Sequence, residues 1–286
     1  MNPARRLAEI VSALEQVGLT VLVMGGHAVR YYGIDRNTID YDLHLSPADW
    51  DDLGSRLNQS VLAVGGSLAP GPSWRPGSFQ RFLLGRLPDG RDEWLEFWRN
   101  NHLLPPFADL YGRREEGAYG GRTMAFLSLP DLVRSKETER ETDWQDVAAL
   151  EEIHDGRLLH QATAGTISVD QALALLRSRR GLESFLQGGY LKDPAVVRQA
   201  LLQTRLSITQ AILLPCVGAD VVPPVATVPM EPVVVNRLRT VAPASALHLA
   251  LIEVVRRQYK LSMQNADAAD KQAVGAAQAN PPPKIP

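Results

Sequence analysis

The chain has 286 residues, of which 45% are hydrophobic and 22% charged. That balance supplies a real core and excludes a mostly disordered polypeptide. Thirty Lys and Arg against 32 Asp and Glu leave a net charge of −2, so no bulk basic field holds polyanions. Any nucleotide or nucleic acid must therefore be held by a local site. The single cysteine, Cys216, excludes an intramolecular disulfide and a cysteine-built zinc centre. No long apolar run follows Met1 to Arg6, and Pro215, Pro223, Pro224 and Pro229 break the most apolar stretch. The expectation is a cytoplasmic protein with no membrane span.

Asn2 and Pro3 read as cap and first position of a helix whose apolar face is Leu7, Ile10, Val11, Leu14 and Val17, closed by Gly18. Thr20 to Met24 reads as a short buried strand, and Gly25-Gly26 leads into a short helix over His27 to Tyr32. Residues 35–38 form a loop. Ile39 to Leu45 then alternates, with Ile39, Tyr41, Leu43 and Leu45 on one face and Asp40, Asp42 and His44 on the other. Ser46-Pro47-Ala48-Asp49 opens a helix of capping-box type. Phe79–Leu87 and Asp92–Trp98 read as a hairpin turning through Pro88-Asp89-Gly90, and Thr123–Leu127 as a further strand. Ser128 and Thr142 mark helix starts. From about residue 160 the pattern is helical only. The domains expected are 1–160, a helical domain at 161–263, and a disordered tail at 264–286 rich in Ala, Gln and Pro.

The chemistry gathers in the first of these. A strand ending in Gly25-Gly26 at a helix start lets backbone approach a phosphate closely and aims unpaired N–H groups at it. Asp40 and Asp42, two apart on the next strand, share a face and repel each other unless a cation lies between them. Magnesium suits such a pair, because it takes oxygen ligands and bridges to phosphates.

Gly25-Gly26 followed by Arg36-Asn37-Thr38-Ile39-Asp40-Tyr41-Asp42 resembles the nucleotidyltransferase superfamily of DNA polymerase β-like fold, and within it the bacterial AbiE-type toxin nucleotidyltransferases and their relatives. The stretch Lys136 to Arg140, with Asp143 and Asp146 behind it, is similar to the downstream Lys-x-x-x-Arg-x-x-Asp helix of that family. The resemblance covers roughly residues 21–153. It implies an α+β fold: a small mixed sheet with flanking helices, followed by a helical C-terminal domain. It also implies Mg²⁺ (or Mn²⁺), an NTP such as ATP as substrate, and pyrophosphate as leaving group. The third acid implied on a later strand is Glu96, between Leu95 and Phe97, with Glu93 and Asp92 as competitors; the family frequently has aspartate there.

On this reading Asp40, Asp42 and Glu96 hold the metal, and Gly25, Gly26, Arg36, Thr38, Lys136 and Arg140 face the nucleotide. Lys136 and Arg140 lie four apart and are expected on one helix face. Family acceptors are RNA (tRNA among them) or protein, with a separate antitoxin protein as partner in toxin–antitoxin systems. Two rivals stand beside this: an aminoglycoside-type antibiotic nucleotidyltransferase, and a catalytically weak nucleotide- or partner-binding protein of the same fold. His27 and His44 read as packing residues, Trp94 and Trp98 as core, Asp143 and Asp146 as structural, and Arg177, Arg179 and Arg180 as a solvated helix end.

Overall fold

The computed structural model describes residues 2–51, 78–101, 103–136 and 140–176, together with residues 53, 56, 138, 178, 180, 181, 184 and 185. These fall in two compact units, one reaching Lys136 and the other starting at Glu137. The expected helical domain beyond residue 185 and the expected tail lie outside the described residues.

The first unit is α+β. Helix α1 (Pro3–Gln16) starts where Asn2 accepts the N–H of Ala4 at 2.9 Å, and it buries Leu7, Ile10, Val11 and Leu14. Strand β1 (Val21–Val23) is followed by α2 (Gly25–Tyr31), β2 (Tyr41–Leu45) and α3 (Pro47–Asp51). Ser46 and Asp49 cap α3 reciprocally, at 2.9 and 3.0 Å. The hairpin strands are β3 (Phe79–Arg86) and β4 (Asp92–Trp98), with Gly90 at a φ of 84° in the turn. Helix α4 (Phe107–Gly112), β5 (Glu115–Tyr119), β6 (Arg122–Phe126) and α5 (Leu129–Ser135) complete the unit.

The six strands form one mixed sheet in the order β3-β4-β2-β1-β6-β5. The β2–β4 and β1–β6 pairs are parallel and the remaining three antiparallel. A mixed sheet with flanking helices is the class read from the sequence. Strands β1 and β2 start later than expected. The N–H of Thr20 goes to the carboxylate of Asp49 at 3.1 Å, so β1 starts one residue late. The carbonyl of Asp40 faces the Thr38 hydroxyl at 3.4 Å, so β2 starts at Tyr41 and Asp40 stands just before it. Two elements, α4 and β5, were not anticipated. Strand β5 is the sheet edge, and its sequence Glu-Glu-Gly-Ala-Tyr has no apolar alternation to announce it.

One face of the central sheet is dry. Leu43, Leu95 and Phe97 are fully buried there. The same face carries a polar cluster: the Tyr41 hydroxyl donates to Glu93 Oε1 at 2.7 Å, and Arg6 Nε of α1 lies 3.7 Å from the same oxygen. Burial and this carboxylate raise the Tyr41 phenol far above its ordinary range, so it stays protonated and keeps its hydrogen for Glu93. The bond ties β2 to β4.

The second unit contains α6 (Glu141–Thr163) and α7 (Val169–Leu175). Ser168 and Gln171 form the expected capping box, at 3.0 and 3.1 Å. Asp155, fully buried, accepts the N–H and the hydroxyl of Ser178 at 2.6 Å each. No helix among the described residues is long and apolar enough to cross a membrane.

The Tyr41–Glu93 bond yields a stability prediction. Tyr41→Phe leaves the buried Glu93 carboxylate with Arg6 as its remaining partner, and costs about 1–3 kcal/mol. Urea unfolding of wild type and variant at pH 7 measures it; a difference within ±0.5 kcal/mol removes the bond from the forces that hold β2 to β4.

Candidate active site

The site lies on the opposite face of the same strands. In the parallel β2–β4 pair Asp42 stands beside Glu96, so their side chains leave the sheet on one face. The start of α2 lies against Asp42. Gly25 has a φ of 62°, and a Cβ on it would come within 1.8 Å of Asp42 Oδ2. A Cβ on Gly26 would come within 2.4 Å of Thr38 Oγ1. Both glycines are therefore required by contact, Gly25 also by its left-handed backbone. The Met24 N–H donates to the Asp42 carbonyl at 3.0 Å and fixes the turn on the strand.

The acids form an electrostatic unit. Glu96 is pushed up to about 9, first by burial, then by the charges of Asp42 and Asp40 and by a hydrogen bond with Asp42; Arg81 pulls the other way. Without a cation beside it, Glu96 is thus pushed toward its neutral form. Oδ1 of Asp42 also faces the Trp98 indole N–H at 3.4 Å. The donor set is hard carboxylate oxygen, the chemistry that suits Mg²⁺. Among the described residues no three His, Cys, Asp or Glu side chains are drawn to one metal-sized point. Asp42 and Glu96 repel each other when both are charged, a repulsion that a proton or a divalent cation would relieve.

The competitors of Glu96 lie elsewhere. Glu93 points into the dry face toward Tyr41, and Asp92 pairs with Arg86 at 3.3 Å at the far end of the hairpin. His27 stacks on Tyr41, with ring centroids 5.0 Å apart, and its Nδ1 meets the Tyr119 hydroxyl at 3.1 Å. Burial holds His27 down at about 4, against the pull of Asp42 and with the help of Arg30. His44, buried beside Phe107, is held down at about 4 by the same cause. Both are neutral packing residues at pH 7. The Arg36 carbonyl accepts from Arg30 at 2.9 Å, which pins the loop that carries Thr38.

The shared helix expected for Lys136 and Arg140 is not present. Helix α5 ends at Ser135 with Lys136 as its buried C-cap, whereas Arg140 is the N-cap of α6. The two residues belong to different units. Arg140 is engaged with Asp143 at 2.9 and 3.0 Å, and Thr138 donates to the same carboxylate at 2.5 Å. Ser128 caps the start of α5 together with Asp131. Trp98 and Arg81 were not among the residues assigned to the site. The signal for Trp98 was its place two residues beyond Glu96, on the same strand face.

No family model and no curated protein matches the chain. Among solved structures it is similar to a lincosamide antibiotic adenylyltransferase, LnuA, in its lincomycin-bound form, with 18% identity, a TM-score of 0.38, 52% of this chain covered and 96% of that one. It is also similar to an antigenic nucleotidyltransferase-like protein from Paracoccidioides brasiliensis, with 18% identity, a TM-score of 0.37, and 53% and 77% covered. JHP933 from Helicobacter pylori aligns with 13% identity and a TM-score of 0.38 over 92% and 94%. At these scores the reading rests on the site itself: an α+β sheet domain with a glycine pair seated on an acidic cluster.

Two outcomes test this geometry. Gly25→Ala places a methyl group on the Asp42 carboxylate in a left-handed backbone, so it lowers stability by about 1–3 kcal/mol and displaces Asp42. Gly33→Ala, with a φ of 98° and nothing within 4 Å of the new methyl group, is the control that carries backbone strain alone. Equal urea midpoints for the two variants exclude the contact. The second outcome concerns Glu96. Its folded value lies above the unfolded one, so the native state holds the extra proton between pH 4.5 and about 9. Stability is therefore full below that window and falls as pH rises through it. Glu96→Gln, free of metal, flattens this decline by up to one proton's slope; superimposable pH–midpoint curves exclude a raised Glu96.

Proposed function

We propose that the protein is a metal-dependent nucleotidyltransferase that moves a nucleoside monophosphate from an NTP to a hydroxyl-bearing acceptor. The observation that carries this reading is the seating of Gly25 on Asp42 and of Gly26 on Thr38, beside a Glu96 pushed toward its neutral form. A close backbone approach beside an acidic cluster suits a triphosphate that arrives with its own cation.

Asp40, Asp42 and Glu96 would hold Mg²⁺, or Mn²⁺. When bound, such an ion polarises phosphoryl oxygens and eases deprotonation of the acceptor hydroxyl. Gly25 and Gly26 admit the phosphates, with Arg36 and Thr38 on the loop beside them. Lys136 and Arg140 remain assigned to the nucleotide by resemblance alone, and the toxin–antitoxin reading has the same basis. In the reaction the acceptor oxygen bonds to the α-phosphorus, and the bond from that phosphorus to the α–β bridging oxygen breaks. The electron pair leaves with pyrophosphate, and the hydroxyl proton passes to the Glu96 carboxylate.

Labelled NTPs, each of the four with Mg²⁺ or Mn²⁺, incubated with total RNA and with lysate, test the reading by transfer of label. Asp42→Asn reduces that transfer by about 100-fold or more, since it removes a charge from the metal cluster. Transfer at the wild-type rate by Asp42→Asn, or transfer indifferent to chelation, overturns the assignment.

A further inference from the structure

Across the site face, Asp42, Glu96 and Arg81 form one row over three adjacent strands, β2, β4 and β3. Arg81 is the antiparallel partner of Glu96, and directly opposed residues share a face. Its diagonal neighbour on that face is Trp94, and the Arg81 guanidinium lies over the Trp94 ring, 4.4 Å from its centroid. The stack fixes the guanidinium without using its hydrogen bonds. Arg81 Nε is shielded from water and makes no hydrogen bond. A planar cation is thus held ready beside the acids, on the side away from the glycine pair.

We propose that Arg81, laid on Trp94, is the acceptor-side anion-binding residue, and that the acceptor is a phosphate-bearing molecule whose hydroxyl it positions beside Glu96. The proposal rests on the transferase reading. Gly25 borders Asp42 and Gly26 borders Thr38, which leaves the Arg81 end of the row for the second substrate. A guanidinium there matches a phosphate in a bidentate manner and repels a polycationic acceptor such as an aminoglycoside. The half-exposed Trp94 ring adds apolar surface beside the phosphate, suited to a sugar or base. Arg81 supplies charge and orientation; the bonds made and broken are those of nucleotidyl transfer.

The test measures binding by the whole chain at low salt, with Mg²⁺ and a non-hydrolysable ATP analogue present. The probes are a fluorescein-labelled single-stranded RNA decamer, ribose 5-phosphate and kanamycin. Arg81→Ala is the main variant. Arg81→Met keeps the aliphatic stem over the indole, should the alanine variant fold poorly. The expected result is that the wild type binds the RNA or the sugar phosphate, that either variant weakens this about tenfold or more, and that the analogue's affinity stays within twofold. Binding of RNA but not ribose 5-phosphate assigns the phosphate to a nucleic acid; the reverse assigns it to a small sugar phosphate. Unchanged probe affinity in both variants, binding of kanamycin alone, or an equal loss of analogue affinity overturns the proposal and leaves the transferase reading intact. A wild type that binds no analogue with Mg²⁺ overturns that reading, and this proposal with it.

Discussion

Everything on the site face follows from placing Asp42 and Glu96 in register on neighbouring parallel strands. Parallel strands lie about 4.8 Å apart, close enough for the two carboxylates to meet and too close for both to be charged in a half-buried setting. Burial and the neighbouring charges of Asp42 and Asp40 push Glu96 up toward its neutral form. Under the metal-binding reading proposed above, a divalent ion would relieve the same repulsion.

Keeping that register is the work of the opposite face. Tyr41 lies between Asp40 and Asp42 in sequence and points the other way, where its hydroxyl reaches Glu93 of β4. His27 lies flat against the Tyr41 ring and meets Tyr119 of β5, so the helix start that carries the glycines is packed on the strand that carries the acids. Arg6 of α1 balances Glu93 from outside the sheet. A one-residue slip of β2 against β4 would break the Tyr41–Glu93 bond, bury Asp42 and turn Tyr41 to the site. Polar groups buried in a dry face are costly unless satisfied, and the Tyr41–Glu93 bond is available in this register.

The sequence made most of this geometry legible because the relevant signals were local. Asn2, Ser46 and Ser168 announced their helices through caps that act over three residues. The period of two separated Tyr41 and Leu43 from Asp42, and the turn Pro88-Asp89-Gly90 joined β3 to β4. What the sequence could not convey was pairing. That Glu96 is the partner of Asp42, and Arg81 the partner of Glu96, depends on strand order, which no local pattern encodes. The single helix expected through Lys136 and Arg140 failed for the converse reason. Their spacing of four fits a helical face, yet Lys136 caps one helix and Arg140 another, and the Arg140 guanidinium turns inward to Asp143.

The choice of glutamate at position 96, where the resembled family frequently has aspartate, has a physical account in this arrangement. Glu96 has two neighbours to reach, Asp42 on one strand and Arg81 on the other. Its extra methylene lets the carboxyl cross the interstrand gap toward Asp42 while remaining within the field of the guanidinium. The row then runs from acid to base over three strands, about 10 Å from the backbone of Asp42 to that of Arg81. Under the nucleotidyl-transfer reading proposed above, such a gradient would sort the two substrates by charge: a triphosphate carrying a divalent cation toward the acidic end, where bare phosphate is repelled, and an uncomplexed phosphate toward the basic end.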